Sequence, residues 1–110
     1  MSISVHRSAD VAVIMVAGDV DLSTAPLLED QISDVIAGGG LSLVEVDLAQ
    51  VPFLDSSGIA VLLNGRRRAD EHGVSYRVVR ANGIPRTVLE ITGVWEHLCG
   101  RADLTSGTGT

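Results

Sequence analysis

A continuous apolar run, Val11-Ala12-Val13-Ile14-Met15-Val16-Ala17, sets the terms for everything around it. It is rich in β-branched residues and far too short to span a bilayer, so it reads as a strand buried on both faces. Ile3 to Val5 alternates apolar and polar residues and reads as a shorter strand before it. Arg7-Ser8-Ala9-Asp10 between them is a hairpin-length link, which makes the first two strands antiparallel. A strand so apolar needs cover, and the rest of the chain must supply it.

The cover follows at helical spacing. Gly18-Asp19-Val20-Asp21 ends the apolar run as a loop, Ser23 or Thr24 offers a side-chain cap, and Pro26 suits a first helical turn. Leu28, Ile32, Val35 and Ile36 then form one apolar stripe, which Gly38-Gly39-Gly40 stops. Val44-Glu45-Val46-Asp47-Leu48 alternates strictly and predicts a third strand. A second helix opens at Ile59-Ala60-Val61-Leu62-Leu63 and runs towards His72 and Gly73. Asn64-Gly65 interrupts it with a turn-prone pair, so either the helix bends there or something packs closely against it. Ser75 to Val79 predicts a fourth strand; Pro85 starts a third helix with Val88, Leu89 and Ile91 on its apolar face and Gly93 at its end.

After the hairpin, strands alternate with helices, and such connections are right-handed crossovers. The expected fold is therefore a single α/β domain with a mixed, mainly parallel sheet of about four to five strands, enclosed by helices. Residues 1–102 form that domain, and the small, polar stretch 103–110 is expected to be a frayed tail. Only 3% of the 110 residues are aromatic, so the core must be aliphatic. A domain of this size buries roughly two-thirds of the surface that its unfolded chain exposes, enough to fold without metals or disulfides.

Charge and cysteine usage narrow the function. A net charge of −6 repels phosphate backbones and anionic lipid heads, which argues against nucleic acid and membrane surfaces as partners. No stretch approaches the length of a membrane span, and Met1-Ser2-Ile3-Ser4-Val5-His6-Arg7 lacks the pattern of a signal peptide. Cys99, the single cysteine, has no internal partner and reads as a small hydrophobe, which fits a reducing, cytoplasmic setting. His6, His72 and His97 lie far apart without metal-ligand spacing, so no metal or cofactor is expected. A phosphate loop and a Gly-x-Ser-x-Gly elbow are both missing from the sequence, which places a Ser57 hydrolase last among the readings.

One constellation carries chemistry. Asp55-Ser56-Ser57-Gly58 lies where a loop enters a helix, at backbone N–H groups that lack partners and at the positive end of the helix dipole. Taken alone, the segment reads as helix capping, with Ser56 as the cap. In context, Phe53-Leu54-Asp55-Ser56-Ser57-Gly58-Ile59, preceded by Val44 to Leu48, resembles the signature of STAS domains. Gly18-Asp19-Val20-Asp21 is similar to that family's Gly-Glu-Leu-Asp, with Asp19 in place of the commoner glutamate. Ile91-Thr92-Gly93-Val94 is similar to its Thr/Ser-Gly-Leu pattern, and the likeness spans about residues 3 to 98.

A free-standing domain of this length most resembles the bacterial anti-sigma-factor antagonists. That resemblance implies a regulatory protein without catalysis, which binds an anti-sigma-factor serine kinase and frees the sigma factor. It implies phosphorylation of Ser57, reset by a serine phosphatase, and a partner-binding set of Asp21, Asp55, Ser56, Ser57 and Gly58. A phosphate there adds about −1.5 to −2 charges. The helix end is expected to tolerate that anion within the folded domain, whereas an interface closing over it is not.

The alternative implied by the same resemblance is a STAS subunit of a membrane transport or lipid-trafficking complex, contacting an ATPase without phosphorylation. A stressosome-type scaffold ranks lower, since such scaffolds often carry an N-terminal sensory domain that these residues do not contain. Arg66-Arg67-Arg68 reads as a solvated helix face, and Trp95 as packed between the third helix and the sheet.

Overall fold

The computed structural model describes residues 1–94 and Leu98. The expectations for Trp95, His97, Cys99 and the 103–110 tail lie outside the described residues. Strands β1 (Ser2–Ser8) and β2 (Val11–Ala17) form the hairpin, turned by Ala9 in the left-handed conformation at φ 53°. Then follow α1 (Ala25–Ala37), β3 (Leu43–Gln50), α2 (Ser56–Glu71), β4 (Ser75–Val79) and α3 (Gly83–Ile91). The sheet order is β1-β2-β3-β4, antiparallel at the hairpin and parallel thereafter, as the alternation of strands and helices predicts.

One face of this sheet builds the core. Ile14 and Val16 of β2, Val44, Val46 and Leu48 of β3, and Tyr76 and Val78 of β4 are buried in one cluster. Leu28, Ile32 and Ile36 of α1, Val61 and Leu62 of α2, and Leu89 of α3 complete it. Among the described residues Tyr76 is the single aromatic one in that cluster, which is otherwise aliphatic as the composition requires. The opposite face behaves differently. Val11 and Val13 are half-buried and Met15 is exposed, so β2 is not buried on both faces despite its composition. The reason is the pleat: alternate side chains of a strand point to opposite faces, and the described helices pack on one of them.

The open face is organised by ion pairs instead. The Arg77 Nε donates to Glu45 Oε2 at 2.7 Å, joining β4 to β3. Asp47, the one buried charged residue among those described, pairs with Arg80. A bulge sits beside it, since Met15 pairs with Asp47 but Ala17 with Gln50. The Asp47 Oδ1 accepts the Ala49 N–H at 2.9 Å and so satisfies a donor at the bulge. Burial alone would raise the Asp47 carboxyl; the Arg80 hydrogen bond, the Ala49 N–H and the Arg80 charge together hold it below the usual carboxylate value.

The helix interruption at Asn64-Gly65 resolves as close packing. Helix α2 runs unbroken from Ser56 to Glu71, and a Cβ on Gly65 would stand 2.6 Å from the Tyr76 hydroxyl oxygen. Helix α3 begins at Gly83, two residues earlier than Pro85 suggests, with Gly83 supplying a φ of 60°. Pro85 still lies in the first turn, where its missing N–H leaves no bond unmade.

Candidate functional site

The parallel strands β2, β3 and β4 all point the same way, so the N-terminal ends of α1, α2 and α3 gather at one end of the sheet. Two loops meet there. Val20 bridges to Leu54 in parallel pairing outside the named strands. The Val20 N–H donates to the Phe53 carbonyl at 3.0 Å, and the Asp55 N–H donates to the Val20 carbonyl at 3.2 Å. Gly18 adds a third rung, its N–H reaching the Gln50 carbonyl at 3.0 Å. This ladder brings the loop carrying Asp21 beside the loop carrying Asp55, Ser56, Ser57 and Gly58. The expected site residues are thereby placed at one end of the sheet, although they lie more than thirty residues apart in sequence.

Each residue of the second loop has a separate task. Asp55, in extended conformation at φ −107° and ψ −171°, is the N-cap of α2. Its Oδ1 accepts the Ser57 N–H at 2.9 Å and the Gly58 N–H at 3.3 Å. The expectation that Ser56 caps the helix is therefore corrected. The cap needs an acceptor one residue before the first helical turn, and Ser56 is already inside that turn. Ser56 is exposed and Ser57 half-buried. Neither hydroxyl has a hydrogen-bond partner among the described residues. Gly58 is buried, and a Cβ there would collide with Leu54 Cδ1 and come within 2.9 Å of Val20 Cγ1. Only a glycine lets the helix settle onto the bridge between the loops.

The first loop also corrects an expectation. Thr24 is the N-cap of α1 but makes no capping bond with its side chain. Instead, Asp21 Oδ1 accepts the Ser23 N–H at 3.0 Å, the Ser23 hydroxyl at 2.7 Å and the Thr24 N–H at 3.2 Å. Thr24 Oγ1 accepts the Asp21 N–H at 2.9 Å and donates to the Asp19 carbonyl at 2.9 Å. An aspartate three residues ahead of the N-cap reaches back-turned donors that a Ser or Thr hydroxyl at the cap does not. The Ser23 hydroxyl, outweighing a modest desolvation, and the Ser23 and Thr24 donors hold the Asp21 carboxyl below its usual value. Asp21 is an anion at neutral pH, fixed in place near the mouth of α2.

Four large apolar side chains are also exposed at this end of the sheet. Leu22 is 77% exposed, Leu27 59%, Phe53 42% and Ile84 57%. All four lie in the loops or first turns at the end of the sheet where the helices begin. Sequence periodicity does not single them out, because it finds residues that face the core. Their signal was their failure to fit any buried stripe. A separate shallow depression of about 590 Å³ lies on the open sheet face, lined by His6, Val13, Met15, Glu45, Asp47, Val79 and Arg80, and shares no residue with this mouth. Among the described residues, no group of His, Cys, Asp and Glu is arranged to hold a metal ion, and no helix is long and apolar enough to cross a membrane.

A mixed sheet with a bridged pair of loops and an Asp-capped serine pair defines a class, and sequence comparison gives the same one. A profile described as "Mlab, STAS domain" matches residues 3–100, and the chain belongs to the STAS domain family. It is 31% identical over 94 residues to the anti-sigma-F factor antagonist RsfB of Mycobacterium tuberculosis, a match over 86% of this chain and 75% of that protein. The crystal structure of an anti-sigma factor antagonist from Mycobacterium paratuberculosis superposes at a TM-score of 0.79 with 28% identity, over 88% of this chain and 81% of that one. The phosphorylated form of the Bacillus cell fate determinant SpoIIAA shares the fold at a TM-score of 0.68 and 19% identity, over 84% of this chain and 85% of that one.

Proposed function

We propose that this chain is a cytoplasmic anti-sigma-factor antagonist, without catalysis of its own, that is switched by phosphorylation of Ser57. Unphosphorylated, it binds an anti-sigma-factor serine kinase and frees the sigma factor. Phosphorylated, it is released until a serine phosphatase resets it. The observation that carries this reading is the Ser57 hydroxyl, unbonded among the described residues, at an Asp-capped helix mouth on the end of the sheet that also exposes Leu22, Leu27, Phe53 and Ile84. The relatives named as antagonists supply the class of partner, and the phosphorylated SpoIIAA structure supplies the precedent for the modification.

The chemistry at the mouth favours a switch of interface rather than of fold. Helix N-termini welcome anions, but the Asp55 carboxylate already occupies the N–H groups of Ser57 and Gly58. A phosphate on Ser57 would have to share that end of the helix with Asp55 and stand near Asp21. In open water the repulsion is screened, and the fold survives. Under a docked partner the added charge must lose water without a counterion, which costs several kcal/mol after relaxation. Each 1.4 kcal/mol is a factor of ten in affinity, so one phosphate can take binding from tight to negligible. Asp21, Ser56 and Gly58 contribute as the surface and the support around the acceptor.

The test is incubation with an anti-sigma-factor kinase and ATP, followed by intact-mass analysis and binding of both forms to that kinase. The expected result is one phosphate on wild type, none on Ser57→Ala, and a loss of affinity of at least about a hundredfold on phosphorylation. Equal binding of the two forms, or a phosphate that persists in Ser57→Ala, overturns the reading.

A further inference from the structure

The depression of about 590 Å³ on the open face of the sheet lies apart from the Ser57 mouth. Its volume falls in the range of sites that enclose small molecules, roughly 300–1,000 Å³. The floor is apolar. Val13 and Met15 stand on β2, a strand without a polar residue on either face, and the described helices cover only its other side. Met15 is 38% exposed as a result. At one side of this floor stands Arg80, a cation held in place by two means. The buried Asp47 carboxylate accepts from its Nε at 3.0 Å and from its Nη2, both through Oδ2. The backbone of Arg80 takes a φ of 60°, a left-handed conformation uncommon outside glycine.

That ion pair uses one edge of a planar fork. A guanidinium has five N–H donors, and Asp47 takes only those along the Nε and Nη2 edge. The end edge, Nη1 with the second Nη2 hydrogen, has no partner among the described residues. Two parallel donors at that spacing match both oxygens of one carboxylate. The carboxylates already present are committed elsewhere: Asp47 Oδ1 accepts the Ala49 N–H at 2.9 Å, and Glu45 Oε2 accepts Arg77 Nε at 2.7 Å. Across the floor, His6 of β1 stands beside Val13, and its ring also lacks a hydrogen bond among the described residues. A cation would have to displace an arginine from Glu45 or Asp47. A polyphosphate would bring several charges to one open fork beside two carboxylates. A single carboxylate on an apolar body fits both the fork and the floor.

We propose that this depression binds a small amphipathic carboxylate, its anionic end on the open edge of Arg80 and its apolar chain or ring over Met15 and Val13. The register supports that span: Met15 lies beside Asp47, the partner of Arg80, and Val13 lies beside His6. The site is independent of the Ser57 switch, because it shares no residue with the mouth of α2 and needs no kinase to be occupied.

Titration of the isotope-labelled full chain with octanoate and with 4-phenylbutyrate, followed by heteronuclear NMR, tests it. Octanamide serves as the neutral analogue and octylamine as the cationic one. At least one of the two carboxylates is expected to bind with a dissociation constant of about 1 mM or below, shifting the amides of Met15, Asp47 and Arg80. Octanamide and octylamine are expected to bind at least about tenfold more weakly than octanoate. Met15→Glu sets a like charge on the exposed floor and is expected to weaken carboxylate binding at least about tenfold, with circular dichroism as the check on folding. Arg80→Lys keeps a cation beside Asp47 but removes the fork, and is expected to lose at least about fivefold of the preference for octanoate over octanamide. Failure of both carboxylates to saturate below about 10 mM overturns the proposal. So do equal affinities for octanoate and octanamide, shifts confined to other faces, or an unchanged preference in Arg80→Lys.

Discussion

Helix α2 contains two glycines, Gly58 and Gly65, two turns apart, and both are buried because another group fills the space that a Cβ would need. The groups differ in kind. Beneath Gly58 lie Val20 and Leu54, the two residues of the bridge that ties the loops together. Beneath Gly65 lies a single phenol ring, Tyr76, whose hydroxyl has no partner among the described residues. The first glycine thus sets where a surface serine stands relative to Asp21, and the second only seats a helix on its sheet. One residue type serves position at one end of the helix and packing in its middle.

Substituting alanine at the two glycines separates these roles. Each adds a methyl group to a site already filled, an overpacking that costs about 1–3 kcal/mol against a gain of up to about 1 kcal/mol in helix propensity. Gly58→Ala is expected to lose about 2 kcal/mol, visible as a melting temperature lower by about 8 °C or more. Gly65→Ala is expected to fall in the same range. Only Gly58→Ala should also weaken binding to the proposed anti-sigma-factor partner, by about tenfold or more when stability is held non-limiting, because the bridge must shift to admit it. Equal binding losses in the two variants would dissolve the distinction between position and packing.

A smaller effect separates the cap from the charge at the same mouth. Asp55→Ala leaves the Ser57 and Gly58 N–H groups without their acceptor and is expected to cost about 1 kcal/mol in chemical denaturation. Asp55→Asn keeps an acceptor oxygen and should retain most of that stability while removing a negative charge beside Ser57. A phosphate on Ser57 should then impair partner binding less in Asp55→Asn than in wild type. If the asparagine variant is as unstable as alanine, the carboxylate stabilises the mouth through its charge and not through the two hydrogen bonds.

Those residues also mark how far the sequence could be read. The strands, the helices and their order were legible because apolar periodicity and glycine stops are local signals, and β4 came out residue for residue as Ser75–Val79. The loop with Ser57 was legible through its resemblance to a family. What periodicity could not show was contact across long sequence separations. Asp47 read as the polar half of an alternating strand; its counterion, Arg80, lies 33 residues later and meets it only through the parallel pairing of β3 and β4. Val11-to-Ala17 read as doubly buried because composition reports hydrophobicity, whereas the number of covered faces depends on which side the helices take. Capping was misassigned at both helices for a related reason: Asp21, Ser23 and Thr24, or Asp55 and Ser56, all have suitable oxygens, and only backbone angles decide among them.

The smallest expected effect at neutral pH, on the far side of the comparison, is the most diagnostic of packing. Tyr76 is buried, and its hydroxyl stands under Gly65 with no acceptor or donor among the described residues. An unmatched buried hydroxyl is a liability of about 1–3 kcal/mol, so Tyr76→Phe is expected to match wild type near neutral pH or exceed it by up to about 1 kcal/mol. Alkali amplifies the difference. Burial pushes the Tyr76 phenol well above its ordinary value, outweighing a smaller opposing effect of the Arg66 charge. In the unfolded chain the same phenol ionises near pH 10. A raised folded pKa means stability present below the unfolded value and lost above it, by up to about 1.4 kcal/mol for each further pH unit. The chain has one tyrosine and no lysine, so no other side chain that titrates near pH 10 competes with this one. Denaturant titrations at stepped alkaline pH should therefore show wild type weakening above about pH 10 while Tyr76→Phe holds level. Parallel curves for the two proteins would mean that the phenol reaches solvent in the folded state, and that Gly65 does not seal it.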